Sequence, residues 1–329
     1  MKKISVITTF YNSESTIKSA VDSILKQTCS NFEYILVDDG SNDGSAAVLN
    51  DIHDERITLL QPGRVGRAAA LNIGLNYASG EYIAILDADD FALPDRLNLQ
   101  SVLLDNKPNV VLVCSNAELI DENGKSIGVT NFPSEHDSLV TNLIKLNPFP
   151  HSSVMYRREK ALKVGGYNLR CEKSIDYNFY LELLLAGGRF VSVDNPLIRL
   201  RSYSNSWGKN DKLGLQIRYG IIGLINYFEV KKGNKGFLRL EDRGWLEFKT
   251  IFDDWFEQHR FHKKMDAKKS FLLSRLALKQ RRLIKFISGV SITLKQDPLF
   301  WLYRGCGFKY PVDIYNFLNY LNKKSPQND

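Results

Sequence analysis

Three short runs of aliphatic residues in the first 90 positions each break off into a polar or acidic cluster, and helical periodicity fills the gaps between them. Residues 3–9 read as a first strand. Ser13 offers a cap for the helix that follows, where Ile17, Ala20, Val21, Ile24 and Leu25 recur on one face. Phe32 to Val37 reads as a second strand and ends at Asp38-Asp39-Gly40-Ser41. A short helix over 45–52, a strand over 56–60 and a helix over 66–79 closed by Gly80 follow. Glu81 to Leu86 is the third apolar run, and Pro94 opens a helix over 95–106. Such β-α-β-α-β alternation with short connections predicts an α/β fold, a Rossmann-like, mainly parallel sheet with helices on both faces. Later segments read as strands near 110–118 and 190–201 and as helices near 138–146 and 176–187.

In an open parallel sheet, ligands bind at the carboxyl ends of the strands. The run Ile83-Ala84-Ile85-Leu86-Asp87-Ala88-Asp89-Asp90 delivers three carboxylates to that rim. Packed carboxylates repel one another unless a cation or a proton relieves them. Hard divalent ions such as Mg²⁺ take carboxylate oxygens together with substrate phosphates. The run therefore points to a metal holding a phosphorylated ligand; an acidic turn with a helix cap is the plainer alternative. Thr8-Thr9-Phe10-Tyr11-Asn12 and Asp38-Asp39-Gly40-Ser41 end neighbouring strands at the same rim, and Arg67 opens the helix beside them. Further on, Gly165-Gly166-Tyr167 precedes Ser174-Ile175-Asp176-Tyr177, which places Asp176 at a helix N-terminus. A carboxylate there is either a cap or a base for an acceptor hydroxyl.

Charge divides the chain. Residues 1–205 carry 20 Lys and Arg against 25 Asp and Glu, a net of −5, whereas residues 206–329 carry 24 against 12, a net of +12. The division predicts two regions, 1–205 and a basic, mainly helical region over 206–329. No apolar run approaches the roughly 20 residues of a membrane span. In 206–329, Lys268-Lys269, Lys279, Arg281-Arg282 and Lys285 alternate with Phe271-Leu272-Leu273, Leu276, Leu278, Leu283-Ile284 and Phe286. That pattern fits a helix lying on an anionic membrane surface, or one packed by its apolar stripe. No nucleic-acid-binding motif accompanies the positive charge. The four cysteines lack pairing or metal-ligand spacing, and His259 and His262 have no partner ligands, so free thiols in a cytoplasmic protein, peripheral on the inner face of the membrane, are expected.

Taken in order, Ser5-Val6-Ile7-Thr8-Thr9-Phe10-Tyr11-Asn12, Asp38-Asp39-Gly40-Ser41, Asp87-Ala88-Asp89-Asp90 and Ser174-Ile175-Asp176-Tyr177 resemble the family 2 inverting glycosyltransferases of the GT-A fold, over residues 1–205. The resemblance implies a nucleotide-diphospho-sugar donor, a UDP-sugar above others, and a glycan or polyprenyl-linked acceptor in surface polysaccharide or glycoconjugate assembly. It implies nucleotide contacts at Thr9, Tyr11, Asp39, Arg67 and Asp87, Mn²⁺ or Mg²⁺ on Asp89, and a base at Asp176. It also implies acceptor or diphosphate contacts at His151 and Arg201. Two departures stand out: Ile175 replaces the usual acid before Asp176, and Arg201 stands where many relatives have histidine. A sugar nucleotidyltransferase would need a glycine-rich loop after the first strand, and a dinucleotide oxidoreductase Gly-x-Gly-x-x-Gly; neither is present. A non-catalytic sugar-nucleotide-binding or scaffold protein of the same fold is the remaining alternative.

Overall fold

The first strand, β1 (Ile4–Phe10), lies between β2 (Phe32–Asp38) and β4 (Tyr82–Ile85), parallel to both. β3 (Ile57–Leu60) extends the parallel array outside β2. Every β1 residue except Thr9 is buried, because helices cover both faces, and the buried hydroxyls of Ser5 and Thr8 are hydrogen-bonded. The chain is described here by a computed structural model covering residues 3–145, 149–202, 215–258 and Phe317. It forms two compact units, Met1–Asp211 and Lys212–Asp329.

In the first unit, α1 (Ile17–Leu25) buries Ile17, Ala20, Val21 and Ile24, the face its periodicity marks. Its start differs from expectation. Thr16 stands at the cap, and Ser13 contributes its carbonyl, which accepts the N–H groups of Thr16 and Ile17 at 3.0 and 2.9 Å. α2 (Ser45–Asn50) and α3 (Arg67–Tyr77) connect the parallel strands. Beyond β4 come β5 (Phe91–Ala92), α4 (Arg96–Asn106), β6 (Val110–Ile120), β7 (Ser126–Val129) and α5 (His136–Lys145). A 3₁₀ turn over His151–Ser153 leads into β8 (Met155–Arg157), α6 (Arg158–Lys163), α7 (Ile175–Leu185) and β9 (Arg189–Arg201).

The strand order is β3-β2-β1-β4-β8-β6-β9-β5, with β7 on β6. The sheet is parallel from β3 to β4 and mixed beyond it, because β8 enters antiparallel between β4 and β6. That insertion has a consequence for function: it sets the 3₁₀ turn beside the end of β4, where Ile85 N–H donates to Val154 O at 3.1 Å.

Arg96 fastens this junction from below. It is fully buried on α4, and its Nη2 donates to Ile85 O at 2.8 Å and to Val154 O at 3.0 Å. Burial pulls its basicity down to about 10, against the opposing charges of Tyr34, Asp90 and Asp87. A buried cation is expensive unless its donors are used, and here one bond goes to the strand end that carries the acidic run and one to the residue between the 3₁₀ turn and β8.

The described part of the second unit is helical: α8 (Leu215–Lys231), a 3₁₀ turn over Phe237–Arg239, and α9 (Asp242–Gln258). Phe237 stacks on Phe248 with ring centres 4.2 Å apart, and Phe317 sits 4.8 Å from Trp255. Arg218 of α8 donates to Asp253 of α9 at 2.9 Å and also pairs with Glu257. The basic stripe from Lys268 to Phe286, His259 and His262 lie outside the described residues. Among the described residues no helix is long and apolar enough to cross a membrane.

Candidate active site

The in-register pairing of Phe10 with Asp38 and of Ile7 with Ile85 brings the ends of β1, β2 and β4 to one rim. Thr8 locks two of these ends together; its hydroxyl donates to Leu86 O at 2.7 Å and lies 2.9 Å from Tyr34 Oη. Thr9, half-buried, and Tyr11, exposed, follow on the same edge. Asp38 and Asp39 are both buried. Asp38 accepts Ser41 N–H at 2.8 Å, and Asp39 accepts the N–H groups of Val65 and Gly66 at 2.8 Å each and pairs with Arg64.

The three carboxylates of the acidic run have different surroundings. Asp87 receives Nη2 of Arg67 at 2.7 Å, and His151 Nδ1 lies 3.7 Å away. Burial opposes its charge, yet the Arg67 guanidinium holds the Asp87 carboxyl well below the usual carboxylate range. Asp90 points inward, where it accepts from Ser152 Oγ and from Arg201 N–H at 2.9 Å. Burial, then the charges of Asp89 and Asp87, push its carboxyl well up. Ser152 Oγ also accepts Asp87 N–H at 3.0 Å, so the 3₁₀ turn braces the run at two points. Asp89, half-buried, has a carboxyl that no side chain of the described residues bonds, and burial and Asp87's charge push it up.

His151 belongs to this cluster. It is buried, with Nδ1 3.3 Å from Arg67 Nη2 and Nε2 3.0 Å from Tyr167 Oη. Arginine only donates, so Nδ1 accepts and Nε2–H donates to Tyr167. Tyr167 is pinned in turn: Asn72 of α3 donates to its carbonyl at 2.7 Å and accepts its N–H at 2.8 Å. Tyr156 Oη lies 3.0 Å from Tyr167 Oη. Burial first of all raises the hydroxyl pKa of Tyr156, Tyr167 and Tyr180, so all three are neutral phenols at physiological pH.

Asp176 lies in the first turn of α7, after Ser174 in the left-handed region at φ 50°. The electrostatics tie it to the same place. Asp87 most of all favours the charged form of Arg67, against burial, and Asp176 and Asp89 add to it. Arg67 thus stands in the field of three carboxylates drawn from β4 and α7. Arg201 is a wall of the site: its Nε donates to Asp89 O at 3.2 Å and its Nη1 to Glu122 O at 2.8 Å. Asp90, Ser152, Tyr167 and Arg64 are the residues that sequence reasoning left off the site. Asp90 lay in the acidic run and Tyr167 in Gly165-Gly166-Tyr167 without a role of its own, and Arg64 is a lone cation in the glycine-flanked loop Gly63-Arg64-Val65-Gly66.

The Arg67–Asp87 pair yields a stability prediction with a definite sign. A carboxyl held below its ordinary value of 3.8 adds stability above that pH and loses it as pH falls through the depressed value. Arg67 is half-exposed, so the pair is worth about 1 kcal/mol. Arg67→Ala is expected to unfold at lower urea than the parent at neutral pH, and the gap should narrow progressively as pH falls below 3.8 toward the depressed value. A gap as wide in acid as at neutrality would refute the charge account.

Metal ligation fits the donor set in one respect. Among the described residues no cluster of three His, Cys, Asp or Glu side chains is arranged to hold an ion alone. Asp89 offers unbonded carboxylate oxygens at the rim, and an ion of the Mg²⁺ type completes its shell with phosphate and water.

The chain is similar to known proteins. The sequence model of glycosyl transferase family 2 matches residues 5–165. A glycosyltransferase of Haemophilus influenzae is 36% identical over 188 residues, 56% of this chain and 72% of that protein. The UDP-Glc:alpha-D-GlcNAc-diphosphoundecaprenol beta-1,3-glucosyltransferase WfgD of Escherichia coli is 39% identical over 122 residues, 36% of this chain and 47% of its own. S. aureus TarS 1-349, solved in complex with UDP-GlcNAc, superposes with a TM-score of 0.55 at 16% identity, over 88% of this chain and 90% of that one. The chain is a glycosyltransferase and belongs to glycosyl transferase family 2.

Proposed function

We propose that this chain is an inverting transferase that moves a sugar from a UDP-sugar to a hydroxyl of a lipid-linked glycan, in surface polysaccharide or glycoconjugate assembly. The observation that carries the reading is the acidic run at the strand ends, where Asp87 takes Arg67 Nη2 at 2.7 Å and Asp89 has a carboxyl that no side chain of the described residues bonds, together with Asp176 in the first turn of α7. The UDP-GlcNAc bound to TarS and the diphosphoundecaprenol acceptor in the name of WfgD support the substrate classes.

In this reading Thr9, Tyr11 and Asp39 take the base and Asp87 the ribose. Asp89 would hold Mn²⁺ or Mg²⁺, and a bound ion would supply positive charge to the diphosphate. Asp176 accepts the proton of the acceptor hydroxyl as its oxygen attacks the anomeric carbon. The bond from that carbon to the diphosphate oxygen breaks on the opposite face, the nucleoside diphosphate leaves, and the configuration inverts. Arg67 has a guanidinium to offer the diphosphate once Asp87 turns to the ribose.

Thermal unfolding with UDP, GDP and dTDP, each with and without Mn²⁺, tests the reading, because a ligand of the native state raises stability by mass action. A shift with UDP that grows with Mn²⁺ is expected. No shift with any nucleotide would sink it.

A further inference from the structure

The loop joining β3 to α3 folds back over the ends of β1 and β2. From it, the Arg64 guanidinium lies over the face of Tyr11, its central carbon 3.7 Å from the ring centre. Its Nη1 donates to the Asp39 carboxylate and, at 3.2 Å, to the Asp39 carbonyl. The two partners differ in freedom: the Asp39 side chain is 5% exposed and the Arg64 side chain 57%. The loop sits so close that a Cβ on Gly40, which has φ +74°, would lie 2.7 Å from Arg64 N. The backbone of the loop is therefore seated on the strand end, while the arginine side chain reaches across an open edge.

A guanidinium on an aromatic face is a planar group with in-plane N–H donors. A nucleobase with a ring N–H has the same two features: a flat face to stack and an in-plane donor for a carboxylate. We infer that the Arg64 side chain is a stand-in for the donor's base, holding the face of Tyr11 and the edge of Asp39 until a nucleotide displaces it. The inference rests on the function proposed above and adds to it a residue that governs entry to the base pocket. It also narrows the base. Uracil, thymine and guanine bring a ring N–H to Asp39, whereas cytosine would turn the lone pair of N3 toward a carboxylate, a mismatch that a polar site rejects strongly.

An internal competitor lowers apparent affinity by the fraction of time it holds the site. An exposed cation–π contact and a half-exposed ion pair are each weak, so removing Arg64 should tighten binding about 3- to 10-fold. The test is calorimetric titration of the full chain and its Arg64→Ala variant with UDP, dTDP, GDP and CDP, and with the nucleoside of the tightest binder. One of UDP, dTDP or GDP should bind the parent more tightly than CDP. The variant should bind that nucleotide about 3- to 10-fold more tightly. The free nucleoside should gain by the same factor, because Arg64 blocks the base and not the phosphates. Equal or weaker binding by the variant, or CDP as the tightest ligand, would overturn the inference and leave the proposed function standing. Failure of both proteins to bind any nucleotide would overturn the proposed function itself, and the stand-in with it.

Discussion

Asp176→Asn should lower turnover by about 10²- to 10⁴-fold and leave donor binding intact, because it removes a general base without removing volume. The neighbouring groups explain why no other side chain should rescue it. Tyr156, Tyr167 and Tyr180 hold their protons far above neutral pH, with burial the leading cause, so none of them is available as a base. Among the described residues His151 is the only imidazole in the cluster, and its Nδ1 lone pair faces Arg67 while Nε2–H is committed to Tyr167. Asn at 176 keeps the size and hydrogen bonding of the first turn of α7 but cannot accept a proton. Steady-state sugar transfer, paired with nucleotide titration of the same preparation, separates the two effects. A variant with near-normal turnover would remove Asp176 from the mechanism; one that lost nucleotide binding as well would mark it as part of the donor site.

How much of this site could be read from the chain depends on sequence distance. The parallel half was legible because each strand carries its own signal and strand ends follow from topology. Thr9, Asp39, Asp87 and Asp89 needed no more than three apolar runs and the rule that ligands sit at their carboxyl ends. The bracing of the acidic run was not legible. Asp90 meets Ser152 across 62 positions and Arg201 across 111; the first meeting depends on β8, three residues that enter antiparallel, and the second on β5, two residues paired with β9. Strands so short have no periodicity to read. His151 had a motif but no address: an acceptor-side or packed residue was the expectation, and the structure sets it against Arg67 and Asp87. For Arg201 an acceptor or diphosphate contact was the expectation, and the bonds its guanidinium makes to the carbonyls of Asp89 and Glu122 had no signal in the sequence. Buried Arg96 looked like any early helical cation, since α4 shows little apolar periodicity and nothing in its sequence marks the face turned to the sheet.

Asp89→Asn should abolish the Mn²⁺-dependent part of nucleotide stabilisation and lower turnover by about 10²-fold or more, since metal stabilisation of a departing charge is worth several kcal/mol. The prediction follows from how the three acids are used. Asp87 is committed to Arg67, and Asp90 to Ser152 and the Arg201 backbone. Asp89 stays unbonded by side chains of the described residues, beside a charged Asp87 and partly buried, so its charge is unfavourable until a cation arrives. Relief of that repulsion is itself a source of metal affinity. Asn keeps one oxygen and loses the charge, so nucleotide alone should still stabilise the variant while added Mn²⁺ contributes nothing further. Asp90→Asn makes the control: it disturbs a buried carboxylate that anchors two elements, so it should lower the melting temperature before any ligand is added. If Asp89→Asn kept the full Mn²⁺ increment, the ion would have to be held elsewhere, and the division of labour among the three carboxylates would be wrong.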